Sequence, residues 1–161
     1  MKTIDEYPEN KGGDLNTPYT NKELDILCNR VSNGPKIRFC CMVDSQGRSV
    51  ASGFNDNIQP LNNEDQRQML CAASRLELST KREFNDTLGN VNFITTYRDN
   101  VALIIIPMQQ DYLLLMSVER NGMIEQIVKN TISLFESNGI LSGRDESISL
   151  IDNSTTPSEC V

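Results

Sequence analysis

Residues 101–118 read VALIIIPMQQDYLLLMSV, two apolar runs parted by a polar MQQD. Neither ALIII nor YLLLMSV alternates, which is the pattern of central strands covered on both faces rather than half-wet ones. A buried helix competes as a reading, but runs of eight residues or fewer, β-branched enrichment and Pro107 favour strands. Two such strands need a layer above and a layer below. The expectation is therefore a sheet with helices on both faces.

The rest of the chain supplies those layers. Thr20 to Glu23 has the form of a capping box, and Leu24, Leu27, Cys28 and Val31 mark one face of a first helix that Gly34 and Pro35 stop. Residues 36–44 alternate Ile37, Phe39, Cys41 and Val43 against Arg38, Cys40 and Met42, predicting a strand with one strongly buried face. Asp44 to Gly47 turns it into a hairpin whose second strand is residues 48–54. A long helix is predicted from Glu64 to about Leu88, with Met69, Ala72, Ala73, Leu76, Phe84 and Leu88 near its inner face and Gly89 as its stop. Residues 90–97 alternate as a third strand, polar enough on one face to lie at an edge, and Arg98 to Asn100 turn into the opening stretch. A last helix runs from Met123 to about Ser137, with Ile124, Ile127, Val128, Thr131 and Phe135 inward and Gly139 at its end.

With 161 residues the prior is one domain. Residues 1–19, rich in charge with Pro8, Gly12, Gly13 and Pro18, are expected to be a disordered or loosely attached tail. Residues 20–140 form the domain, and residues 141–161 a polar acidic tail in which Ile148, Leu150 and Ile151 have the spacing of an anchor for an edge or groove. The net charge of −7 lies mostly in the two tails and opposes a nucleic-acid partner. The start, MKTIDEYPEN, lacks a signal-peptide pattern, and no apolar run approaches the ~20 residues of a membrane span. The expected compartment is the cytoplasm.

Little in the sequence suggests catalysis. Zero histidines remove the commonest general base and metal ligand, and no P-loop, GxGxxG or paired-carboxylate motif is present. No catalytic residue, cofactor or metal is expected. Five cysteines without a CxxC pair read as reduced thiols. Cys40 and Cys41, adjacent in a strand, should point to opposite faces. A redox sensor would need an accessible thiol of low pKa, and two inert core cysteines are the plainer reading.

The order helix, hairpin, long helix, three antiparallel strands, helix resembles the roadblock (dynein light chain) family and its profilin-like and longin relatives. Within it, RFCCMVDSQGRSVASG resembles that family's first hairpin, an apolar strand, an Asp-x-x-Gly turn and a short second strand ending in a small residue. The chain is also similar to an archaeal branch of such proteins. The resemblance implies an α+β fold of three layers, α/β/α, with topology αββαβββα and a five-stranded antiparallel sheet ordered 2-1-5-4-3. The second helix would lie on one face, the first and third on the other.

It further implies a homodimer, third strands pairing edge to edge beside the second helices, and a role in scaffolding or regulating small Ras-like GTPases or other signalling partners. That would put Val91, Asn92, Phe93, Ile94 and Thr95 at the seam, with Gln68, Cys71, Arg75 and Leu78 on the exposed part of the long helix. The alternative is a PAS or profilin-like domain that senses a small molecule or redox state, which would need inward polar groups that ALIII and YLLLM scarcely offer.

Overall fold

The computed structural model describes residues 20–140. The readings made of the two tails, including docking by Ile148, Leu150 and Ile151, lie outside the described residues. The elements are α1 (Asn21–Ser32), β1 (Ile37–Val43), β2 (Ser49–Phe54), α2 (Glu64–Arg82), α3 (Asn85–Leu88), β3 (Ile94–Tyr97), β4 (Ala102–Pro107), β5 (Leu113–Val118) and α4 (Ile124–Ser137). All strand pairs are antiparallel, and the sheet order is β2-β1-β5-β4-β3.

Local chemistry sets several boundaries as the sequence suggests. Thr20 caps α1 by accepting the Glu23 N–H at 3.3 Å, while the Glu23 carboxylate accepts the Thr20 N–H at 2.6 Å. In the hairpin turn the Asp44 carboxylate accepts the N–H groups of Gln46 and Arg48, each at 2.9 Å, and Gly47 takes φ 79°. Gly53 on β2 has a different reason to be glycine: a Cβ there would stand 2.5 Å from the backbone of Cys28 and Asn29. Only a bare backbone lets α1 lie this close to the sheet.

The central strands β4 and β5 are buried on both faces, which answers what ALIII and YLLLMSV require. One face carries α1 and α4 over Cys40, Met42, Ile104, Leu114 and Met116. The other carries α2 over Phe39, Cys41, Val43, Ile105 and Leu115. Among the described residues the first cluster holds 18 buried side chains and the second 9. The α2 layer is the thinner one.

Four expectations need correction. β1 is buried on both faces, since Cys40 and Met42 sit under α1 and α4 as deeply as Cys41 and Val43 sit under α2. The pairing of β1 with β5 is irregular between Ile37 and Phe39, and Ile37 packs in the α1/α4 cluster rather than beside Phe39.

The long helix stops at Arg82, and α3 follows as a separate turn ended by Gly89 at φ 83°. Ser79 and Thr80 hydroxyls donate back to the carbonyls of Arg75 and Leu76 at 3.0 and 2.9 Å, and the chain then tightens as Glu83 and Phe84 bond three residues back.

β3 begins at Ile94 rather than at residue 90. Ile94 pairs with Ile105, so a longer ladder would set Asn92 opposite Pro107, which has no N–H to give. The fourth correction, the facing of α2, bears on function.

Candidate interaction surface

The inner face of α2 is Cys71, Ser74, Arg75 and Leu78, all buried. Two of the four are polar, and each is satisfied. The Ser74 hydroxyl donates to the Leu70 carbonyl at 2.7 Å. Arg75 donates to the Asp111 carbonyl at 2.8 Å and to its carboxylate at 2.7 Å, and Arg82 reaches the same carboxylate at 2.8 Å. Asp111 sits at φ 60° in the β4–β5 hairpin, a left-handed position that Asp tolerates better than most residues. The helix is therefore pinned to the hairpin by charge as well as by Leu78.

Seating these polar groups inside turns the larger apolar stripe outward. Met69 is 72% exposed and Leu76 68%, with Ala72 and Ala73 also in solvent, and past the end of α2 Phe84 is 57% and Leu88 82% exposed. Met69, Ala72, Ala73 and Leu76 fall at the i, i+3, i+4, i+7 spacing of one helical face. The sequence reading put these residues inward and Cys71, Arg75 and Leu78 outward. The structure reverses both, and only Gln68 is exposed as expected. Cys71 and Leu78 show the same seven-residue spacing, so two stripes competed, and the one carrying Ser74 and Arg75 was the less conspicuous.

At the edge, β3 pairs with β4 alone among the described residues, and no other described strand lies on its far side. Ile94 is buried in the α2 cluster with Leu78, so the helix lies on the sheet face beside that edge. Ile94 is thus a core residue, not an exposed one. Val91 and Phe93 are half-buried against opposite faces of the sheet, Asn92 is exposed and Thr95 half-buried. The outward side chains of the edge are Thr96 and Tyr97, with Arg120 lying over the Tyr97 ring at 5.6 Å.

Next to the start of α2 no described residue covers the sheet face, leaving an open cleft of about 720 Å³. Its lining includes Phe39, Phe54, Leu103 and Ser117 with Arg38 and Arg67. Arg38 pairs with Glu119 at 2.8 Å, and the Arg67 guanidinium lies 4.8 Å from the centre of the Phe54 ring while donating to the Asn62 carbonyl. This is a groove beside the helix rather than a chamber among the central strands.

Cys40 and Cys41 do point to opposite faces. Cys40 sits in the α1/α4 cluster with Cys28 of α1, while Cys41 meets Cys71 of α2 with sulfurs 3.6 Å apart. The hydrogen bond from Cys41, helped by the charge of Arg67, holds the Cys71 thiol below its ordinary range despite burial. The same bond and burial push Cys41 well up, and burial followed by the hydrogen bond with Cys28 does so for Cys40.

Among the described residues no helix is long and apolar enough to cross a membrane, and no three potential ligands cluster as a metal site. The fold is that of Roadblock/LC7 domains and MglB. A Roadblock/LC7 domain from Streptomyces avermitilis superposes with TM-score 0.60 at 14% identity, over 71% of this chain and 92% of that one. The gliding protein MglB from Thermus thermophilus gives 0.57 at 9%, over 74% and 93%, and an MglB with a tetrameric arrangement gives 0.58 at 10%, over 73% and 90%. No curated protein matches the chain. Residues 17–138, nearly the whole described domain, match one family model, and on that match the chain belongs to the family of unknown function DUF6659.

Proposed function

We propose that the protein is a non-enzymatic interaction module, a homodimeric roadblock-like scaffold or regulator of a small Ras-like GTPase or another signalling protein. The observation that carries the reading is the outward apolar face of α2, Met69, Ala72, Ala73 and Leu76, continued past its end by exposed Phe84 and Leu88, on the sheet face beside the open β3 edge. An exposed apolar helix face of this extent marks an interaction site. An open strand edge needs a partner or a cover, and an identical strand run antiparallel supplies one by two-fold symmetry.

The occupant is therefore a second copy of the chain. Its seam is built from Met69, Leu76, Thr95, Thr96 and Tyr97 rather than from Cys71, Arg75, Leu78 and Ile94, which belong to the core. The GTPase partner follows from the roadblock resemblance, and the non-catalytic role from a sequence without histidine, P-loop or paired carboxylates. Free thiols at Cys28, Cys40, Cys41 and Cys71 accord with a cytoplasmic setting.

The partner is tested by mixing the full chain with small Ras-like GTPases of its own organism, loaded with GDP or a non-hydrolysable GTP analogue, and reading complex mass. A complex with one nucleotide state and not the other is expected. No complex with either state, from a chain that is dimeric, removes the GTPase partner and leaves the dimeric scaffold.

A further inference from the structure

We infer that Cys41 and Cys71 are a peroxide oxidation site, closing to a reversible disulfide that clips α2 to β1. The geometry is specific to this pair: the two sulfurs face each other 3.6 Å apart across the helix–sheet junction, one on each element. A disulfide needs them at about 2.05 Å, so closing the bond draws α2 toward β1. That helix covers the thinner of the two core layers. The open cleft is lined by Arg67 and Leu70, four and one positions before Cys71 on the helix, while Cys71 itself is buried outside that lining, so a small oxidant reaches it from the cleft only as α2 loosens from the sheet.

The two thiols are also unequal, as nucleophile and resolving groups should be. Cys71 is held low by the Cys41 hydrogen bond and by Arg67, whereas Cys41 is pushed up and keeps its proton. The Cys71 thiolate attacks one oxygen of hydrogen peroxide; an S–O bond forms, the O–O bond breaks, and the leaving hydroxide becomes water with a proton from solvent. The Cys41 sulfur then displaces the hydroxyl from the Cys71 sulfenic acid, and that hydroxyl leaves as water with the Cys41 proton. In sum, two thiols and one peroxide give one disulfide and two waters, the two electrons passing from sulfur to oxygen. A dithiol reverses the step.

The consequence is mechanical. α2 carries the proposed partner surface on its outer side, so a clip on its inner side ties that surface to the sheet.

The test uses the full chain carrying Cys160→Ala, exposed to stoichiometric hydrogen peroxide, alkylated under denaturing conditions and mapped by mass spectrometry. Two of the four remaining thiols, Cys28, Cys40, Cys41 and Cys71, should be lost to alkylation, in a linked peptide pair lighter by two hydrogens and restored by dithiothreitol. Because Cys40 and Cys41 share a peptide, the link must persist with Cys40→Ala added and vanish with Cys71→Ser added, each variant keeping its native circular dichroism. Should Cys71→Ser fail to fold, Cys28→Ala is read in its place, and the link must survive it. Retention of all four thiols, a link involving Cys28, or sulfinic acid on Cys71 without a link overturns the inference.

Discussion

Arg75, buried on the inner face of α2, grips both the backbone carbonyl and the carboxylate of Asp111, at 2.8 and 2.7 Å, and so ties the second helix to the β4–β5 hairpin. A buried guanidinium held by charge-assisted bonds occupies the place where an aliphatic side chain would be expected. Replacing it by Ala should cost roughly 1–3 kcal/mol in urea unfolding, because Asp111 is half in water and keeps Arg82. A loss under about 0.5 kcal/mol would mean that the helix is held without it.

The facing of α2 is checked by an alanine pair. Leu78 is fully buried, and Leu78→Ala should cost about 2–5 kcal/mol. Leu76, two positions away and 68% exposed, should change the stability of the monomeric chain by no more than about 0.5 kcal/mol on the same substitution. Comparable losses at the two positions, measured by urea unfolding at protein concentrations low enough to dissociate dimers, would contradict the orientation.

Gly53→Ala should be more damaging than its single methyl suggests. The added carbon meets backbone atoms of Cys28 and Asn29 at 2.5 Å, and backbone cannot swing aside as a side chain can. We expect a loss of roughly 1–3 kcal/mol and a melting temperature several degrees lower. An unchanged melting curve would show that α1 shifts freely on the sheet.

Alkaline pH should weaken the fold through Cys40. Its folded thiol is raised by burial and by the bond with Cys28, so as pH rises past the ordinary thiol value, about 8.5, the unfolded chain loses this proton while the folded one keeps it. The stability contribution is intact below that value and lost above it. Cys41 acts in the same direction and Cys71 in the opposite one. Between about pH 8 and about pH 10, the unfolding free energy of Cys40→Ala should fall less steeply than that of the unsubstituted chain. Parallel slopes would remove the effect.

What the sequence disclosed and what it hid follow one physical line. The doubly covered strands were legible because ALIII and LLLM have no polar position that could face water, and α1 because its capping box and its apolar face agree. The α2 facing was hidden because burial of Arg75 depends on Asp111, 36 positions later, and no local periodicity records that bond. Ile94 was misplaced for a related reason: an edge strand still has an inner face, and the alternation of residues 90–97 shows two faces without saying which lies under Leu78. Of the side chains that the resemblance puts at the seam, four, Cys71, Arg75, Leu78 and Ile94, belong to the core.

The central claim is that two copies meet through the outer face of α2 and the β3 edge. Its most direct test is the solution mass by light scattering, for the full chain and for a Met69→Glu, Leu76→Glu double variant, both positions being exposed and outside the core. The account predicts twice the 18.1 kDa chain mass for the unsubstituted protein and a single chain mass for the variant, with circular dichroism unchanged. A monomeric unsubstituted protein, or a variant that stays dimeric, would contradict it.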